Sequence, residues 1–296
     1  MKFVVILVGI GAVLMLLLSR RQSTAESPSL PMPAEPMSSA KLEEWKSVLD
    51  QRALPAKRLR LTGQPATSTI ASKIGGKPYW TDDLAYPAST KGEPLHFLAQ
   101  VNFGEIDDRL EQFPDSGLLQ FFIGADDLYG FNFEQPTAAN ANSRNYAVVF
   151  HEKPDVSRHI PTETPVPNEE DLLPFRGESG IRFESMMSKA SPVDYRFQTL
   201  LPDTQEVNDV AFNQLYEYAI QAPSHQMGGY AVFTQVDPRE SNDVTDDWQL
   251  LFQIDSEKVG GFDIMWGDVG IANFFIRTED LEKRDFSRVW YNWDCH

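Results

Sequence analysis

The sequence predicts an α+β fold made of two similar β-rich repeats related by a pseudo-twofold axis, with flanking helices, behind an N-terminal transmembrane anchor. Three observations support this prediction: an apolar segment opens the chain, a block of sequence recurs at an offset of 153 residues, and amphipathic segments precede and separate the two copies. The chain has 296 residues, of which 42% are hydrophobic, so it has enough apolar side chains for a buried core. We therefore expect a folded domain.

Residues 1 to 21 are expected to form a signal anchor. The stretch from Phe3 to Leu18 is uncharged, and a helix of that length covers about 24 Å, which can anchor in a membrane with mild thinning. Arg20 and Arg21 stand where a cleavage region is normally uncharged, which favours an uncleaved anchor. The basic flanks favour a soluble domain on the cytoplasmic side. The alternative is export with a cleaved signal peptide.

The next segment, residues 22 to 39, is rich in Pro and Ser and is typical of an extended linker, so the folded domain is expected to span 40 to 296. Residues 1 to 39 carry three basic and two acidic side chains, and the whole chain carries −17, so the remainder carries −18. Such a surface repels phosphate backbones and argues against nucleic acid as a partner. The charge is compatible with a basic protein partner, and its simplest explanation is solubility alone.

Two copies of one plan are recognisable, repeat one at about residues 70 to 130 and repeat two at about 223 to 283. Each copy opens with a double glycine and continues with two apolar strands and an acid-led helical turn. The second strands read "GLLQFFI" and "GIANFFI". We expect the copies to share a core built from four phenylalanines: Phe121, Phe122, Phe274 and Phe275.

The remaining elements follow from periodicity. Apolar residues at helical spacing predict a helix before repeat one and another over 203 to 221, and alternating or aromatic runs predict strands between and after the copies. In chain order, these are a helix at 39 to 52, a strand at 145 to 151, a Pro-rich loop at 161 to 175, a strand at 180 to 188, the helix at 203 to 221 and a closing strand near 288 to 295.

Six blocks in order carry a family resemblance: "SKIGGKPYW", "PLHFLAQVNF", "GLLQFFI", "HQMGGYAVFTQVDPR", "WQLLFQIDS" and "MWGDVGIANFFI". Over roughly residues 70 to 295 the chain resembles the YwqG-like bacterial domain of unknown function. The resemblance implies an α+β fold of two similar halves and no established activity. Members occur in toxin and immunity gene settings, which favours protein binding. The N-terminal anchor departs from the usual form of the family.

Polar residues beside glycine turns of repeat two are the candidate ligand-binding residues. They are His225, Gln235, Asp237, Arg239, Asp255, Asp263, Trp266 and Asp268. Two of these carboxylates with the histidine could bind a divalent cation, or a carboxylate pair could act as acid and base. The structural alternative is that Asp residues in glycine turns cap their own backbone, as in the turn Asp237-Pro238-Arg239. Gln100 and Gln253 interrupt apolar strands and are expected to be hydrogen-bonded within the fold.

The sequence contains no hydrolase elbow, phosphate loop, dinucleotide-binding pattern or zinc-protease motif, so we assign no catalytic residue and no cofactor. The single cysteine, Cys295, excludes an intramolecular disulfide and a thiolate-rich metal site. The favoured function is a membrane-anchored binding module, an immunity-like or regulatory protein with an acidic surface. The alternative is a small-ligand or carbohydrate binder in the groove between the repeats, and a carboxylate enzyme using Asp263 and Asp268 ranks third.

Overall fold

The computed structural model of the protein describes residues 38–132, 145–161, 165, 172–201, 209–240 and 247–296. The predicted anchor and all but the last two residues of the predicted linker lie outside these ranges. Among the described helices, none combines the length and the apolar character needed to cross a membrane.

The dominant feature is a ten-stranded antiparallel sheet in the order β13-β12-β9-β8-β1-β7-β2-β3-β4-β5, accompanied by a three-stranded sheet, β10-β11-β6. The strands are β1 Leu54–Leu61, β2 Lys73–Gly75, β3 His96–Asn102, β4 Leu118–Ile123, β5 Tyr146–His151, β6 Phe175–Arg176, β7 Glu178–Ser188, β8 Gln226–Gly228, β9 Trp248–Asp255, β10 Glu257–Val259, β11 Phe262–Ile264, β12 Ile271–Arg277 and β13 Trp290–Asp294. The helices are α1 Ser39–Gln51, α2 Phe197–Leu200, α3 Asp209–Ala219 and α4 Thr278–Glu282.

The predicted α+β class is therefore wrong, because the described chain is mostly β-sheet with few helices. The predicted division into two repeats with flanking helices is also corrected. Strands of both copies belong to one continuous sheet, and β1 and β7, which lie outside both copies, form its centre. The helical turn expected after β4 does not form, because Asp126 Oδ1 accepts hydrogen bonds from the N–H groups of Leu128 and Gly130 and makes a side-chain-capped turn instead.

The large sheet curves until its two edge strands nearly meet. Tyr146 at the start of β5 donates a hydrogen bond from Oη to the carbonyl of Val289, just before β13, at 2.8 Å. The rings of Tyr146 and Tyr291 lie 5.2 Å apart. The indole of Trp293 donates to the carbonyl of Leu128 at 2.8 Å. Each edge is thus shielded by the other, which limits pairing with further chains.

The main core lies on the inner face of this curved sheet. Phe121 of β4 stacks on Phe252 of β9 at 4.4 Å and contacts Phe274 of β12 at 4.8 Å. Successive residues of a strand point to opposite faces, so Phe122 and Phe275 face outward and join two separate outer clusters. The predicted four-phenylalanine core is therefore half right: only one phenylalanine of each pair lies in it.

The double glycines turn the chain from β2 and β8 onto the outer face of the sheet. Gly75 and Gly76 have φ of 69° and 73°, and Gly228 and Gly229 have 68° and 73°, all in the left-handed region. The segments that follow them are held there by amide side chains of the sheet. Residues with a side chain would be strained at these four positions.

Helices α1 and α3 pack on the same outer face. Trp45 and Leu49 of α1 are buried with Leu215 of α3 in a cluster that also contains Phe197 and Tyr230. The prediction of a helix at 39 to 52 is confirmed, and the described part of the helix predicted at 203 to 221 runs from Asp209 to Ala219. The end of α3, at Tyr218 and Ala219, forms part of the wall of a cavity on this face.

Candidate functional site

The eight predicted site residues do not form one site. They lie in five different places: a buried ionic network, the contact of His225 with the end of β9, the aromatic core, the C-terminal turn and the small sheet. Each group has its own partners within the protein, as the contacts below show.

Asp237 and Arg239 belong to the buried ionic network. Arg239 Nη2 donates to Asp237 Oδ2 at 2.7 Å and to Asp194 Oδ2 at 3.2 Å, and its Nη1 donates to the carbonyl of Trp248. Arg196 Nη2 pairs with Asp194 at 2.7 Å. Burial alone would raise the pKa of Asp194, but the Arg196 hydrogen bond and the Arg239 charge outweigh it and lower that pKa. The predicted turn at 237 to 239 is confirmed, and it is structural.

His225 and Asp255 are brought together at the end of β9. His225 Nδ1 accepts a hydrogen bond from the Asp255 N–H at 2.9 Å, so in the neutral ring the proton is assigned to Nε2, which lies 2.9 Å from Glu257 Oε2. The Asp255 carboxylate accepts from the N–H groups of Ser224 and Ser256, each at 2.7 Å. The contacts of the His225 ring with the Asp255 N–H and with Glu257 hold the ring inside the protein, where its exposed fraction is 1%.

Two of the other predicted residues lie near the C-terminus. Gln235 Nε2 donates to the carbonyl of Cys295 at 2.6 Å, and the Asp268 carbonyl accepts from the His296 N–H at 3.1 Å. Neighbouring Asp294, which the sequence did not single out, has a pKa raised by burial despite hydrogen bonds from backbone N–H groups.

Trp266 and Asp263 have different surroundings from each other. Trp266 is fully buried, with its ring 5.6 Å from that of Tyr129, so it is a core residue. Asp263 lies on β11 and pairs with Lys258 Nζ at 2.9 Å on an exposed surface. Within the described ranges, no three His, Cys, Asp or Glu side chains are grouped so that they could hold a metal ion.

A cavity of about 60 Å³ lies beside His225 and was not predicted. It is enclosed by β1, β7, β8 and the end of α3, and its polar lining includes Arg58, Lys189, Tyr218, Ser224 and Gln226. The signal in the sequence was the alternation of "KRLRL", which places Arg58 and Arg60 on one face of a strand. A strand with charges on one face is easily read as an exposed loop.

A groove of about 500 Å³ lies between the loop after β3 and α4. Its floor contains Phe113, Pro114 and Leu281, and charged side chains surround it. They are Arg109, Glu111, Asp115, Glu282 and Arg284. The exposed residues Glu105, Asp107, Asp108, Glu111 and Asp115 make this loop strongly acidic, and we name residues 105 to 115 the acidic loop.

A family described as "Domain of unknown function (DUF1963)" matches residues 72–295. No curated protein matches the chain. The matched range begins at β2 and ends after β13, so it contains the groove and the lining of the cavity except Arg58, which lies on β1.

Proposed function

The chain belongs to the DUF1963 family, and we propose that it is a binding module that recognises a basic protein through the acidic loop. The finer YwqG-like assignment is part of the proposal, supported by the six sequence blocks quoted above. The immunity-like or regulatory role rests on that resemblance. Attachment to a membrane through residues 1 to 21, with the domain on the cytoplasmic side, also belongs to the proposal.

The observation that carries the proposal is the charge of the acidic loop. Its five carboxylates are exposed, and Arg109, its only basic residue, forms an ion pair with Asp115. The loop borders the groove with the apolar floor. A surface of this kind, an apolar centre with a charged rim, suits a partner that presents Lys or Arg around an apolar side chain.

The acidic loop is fixed in place by side chains beneath it. Lys57 is buried, and its Nζ donates to the Asp107 carbonyl at 2.6 Å and to Ser185 Oγ at 2.7 Å. Glu105 Oε2 accepts from the Ser72 N–H at 2.9 Å, and Asn102 caps the N–H of Gly104. A loop that is ordered before binding loses little conformational entropy when a partner docks.

The charge also predicts how binding responds to salt. Residues 40 to 296 carry −18, so long-range attraction raises the rate at which a basic partner arrives and is screened over roughly 10 Å at 0.1 M salt. Binding through the acidic loop should therefore weaken steeply as ionic strength rises.

The experiment uses the full chain as bait in lysate of the native host, at low and at high salt, with mass spectrometry of the captured proteins. The loop variant is Asp107→Asn, Asp108→Asn and Glu111→Gln. The matched control removes the same charge from exposed sites elsewhere: Glu44→Gln, Asp82→Asn and Glu93→Gln.

The proposal expects a basic protein that the wild type and the control variant capture at low salt, that high salt releases, and that the loop variant fails to capture. Equal capture by the loop variant and the wild type would overturn it, as would capture that salt leaves unchanged. The asparagines preserve the Asp107 carbonyl contact with Lys57, so loss of capture would report side-chain charge rather than loop unfolding.

A further inference from the structure

Arg58 ends a row of polar side chains on the outer face of the large sheet. The row crosses neighbouring strands in register: Asn292, Asn273, Gln253, Gln226 and then Arg58. The inner members are buried, and the amide groups of Gln226, Gln253 and Asn273 bind backbone groups of the protein. Arg58 stands where the row reaches the cavity.

The guanidinium of Arg58 is half-buried, and within the described part of the chain it donates no hydrogen bond. Glu184 stands opposite Arg58 across β1 and β7, but its Oε2 accepts from Arg60 Nε at 2.9 Å. Burial, followed by the charge of Arg60, lowers the pKa of Arg58. Its N–H donors are therefore available to an acceptor that enters the cavity.

The charged side chains around Arg58 are arranged unfavourably for the stability of the sheet. Arg60 and Arg182 are direct cross-strand partners, and like charges in that arrangement repel. Arg58, Arg60 and Arg182 lie on this face of β1 and β7, where Glu184 is paired with Arg60, in a domain whose net charge is −18. A local positive site on such a protein attracts small anions.

The cavity beside Arg58 fits a small group. Its volume of about 60 Å³ corresponds to roughly two water molecules in the liquid. Lys189 adds a second cation to the lining, although its Nζ lies 2.9 Å from Asp50, and Ser224 and Tyr218 add hydroxyl groups. Met186 and Val232 are among its apolar walls.

We propose that Arg58 binds an oxyanion, the carboxylate or phosphate group of a small ligand, at this cavity. The planar guanidinium presents parallel N–H donors that match two oxygens of such a group, and charge-assisted bonds of this kind are stronger than neutral ones. Arg182 and Lys189 supply neighbouring positive charge. The site is separate from the acidic loop and is independent of the protein-binding proposal.

The test follows the Nε–H signal of Arg58 by NMR in the full chain, during titration with inorganic phosphate and, separately, with acetate, at constant ionic strength set by chloride. Arg58→Lys removes this signal and so assigns it. Arg58→Gln is the binding variant, and Arg176→Gln, which removes an exposed strand arginine from the small sheet, is the matched control. The amide signals of Ser224 and Gln226 report binding in every variant.

The expected result is a saturable shift of the Arg58 signal in the wild type with at least one oxyanion. The affinity read from the Ser224 and Gln226 amide signals should fall about tenfold in Arg58→Gln and stay unchanged in Arg176→Gln. Saturation with phosphate alone would assign a phosphate group, and saturation with acetate alone would assign a carboxylate. The proposal is overturned if neither anion gives saturation, or if Arg58→Gln binds as tightly as the wild type. Unchanged backbone spectra away from the cavity would show that the variants are folded.

Discussion

Gln253 and Asn273 face each other across β9 and β12 and hold the backbone of Val232 between them. Gln253 Oε1 accepts from the Val232 N–H at 2.8 Å, and Asn273 Nδ2 donates to the Val232 carbonyl at 3.1 Å. The two amides thus satisfy a backbone segment that crosses the sheet without pairing as a strand. The two side-chain amides therefore replace the backbone hydrogen bonds that a neighbouring strand would make.

The same arrangement occurs at the other side of the sheet. Gln100 Oε1 accepts from the Tyr79 N–H at 3.3 Å, and Gln120 Nε2 donates to the Tyr79 carbonyl at 2.8 Å. Gln100 Nε2 also donates to the Ala71 carbonyl, as Gln253 Nε2 does to that of Ser224. The prediction that Gln100 and Gln253 are hydrogen-bonded residues is confirmed by these contacts.

Replacing Gln253 by Leu should lower the free energy of unfolding by about 2–4 kcal/mol, because the change strands the Val232 N–H and the Ser224 carbonyl in a buried site. Urea denaturation of the wild type and the variant measures this difference in the free energy of unfolding. Gln249→Leu is the control on the same strand, since Gln249 is only partly buried and binds Thr278 at the surface. Equal effects of the two changes would contradict this account.

Arg239→Met should destabilise the protein by about 3–5 kcal/mol, because it leaves the carboxylates of Asp237 and Asp194 buried with less compensation. Arg60→Met breaks an exposed pair with Glu184 and should cost less than about 1 kcal/mol. Thermal or chemical unfolding of both variants at neutral pH gives the comparison. A small loss in Arg239→Met would mean that Arg196 alone can neutralise the network.

His151 should make stability depend on pH. Its Nε2 bonds Gln120 Oε1 at 2.8 Å, and burial lowers its pKa below the ordinary 6.5. At pH values between 6.5 and the lowered pKa, the unfolded chain binds more protons than the folded protein. The contribution of His151 to the free energy of unfolding is therefore fully present above about pH 6.5 and decreases as the pH falls through this range. His151→Gln should flatten the change. Urea unfolding of both proteins across the window tests it, and parallel curves would refute it.

Val269→Gly should stabilise the protein by about 1 kcal/mol, because Val269 is β-branched with φ at 55° and is half exposed. Glycine takes this conformation freely, and little buried apolar surface is lost. Val236→Gly is the control, since Val236 is 70% exposed with ordinary φ, and there the change should destabilise. Melting temperatures of the two variants should move in opposite directions.

Much of the local structure could be predicted from the sequence. Strong periodicity located α1, β3, β4, β9, β12 and β13, and the Asp237-Pro238-Arg239 turn was recognised from its residues. The fold class was not, because the decisive strand, β1, reads "LPAKRLRL" and has charges where a central strand normally has apolar residues. Without β1 as a central strand, the sequence predicts two repeats packed around a shared core rather than one continuous sheet.

The candidate site was less predictable for a related reason. The polar residues near the glycines of repeat two were conspicuous, yet Asp237 and Arg239 bind each other and Trp266 packs in the core. Arg58 lies more than 160 residues from Gln226 in sequence, and only the pairing of β1 with β8 brings them together. No local pattern records a contact of that range.

The central position of β1 also bears on how the protein is made. This strand is synthesised well before its partners, which are β7, where Leu54 pairs with Ser188, and β8, where Arg58 pairs with Gln226. The middle of the sheet therefore cannot close until most of the chain has been synthesised. Until then β1 is an unpaired strand with two open edges. The charges of "KRLR" keep this segment soluble and limit its aggregation before its partner strands are available.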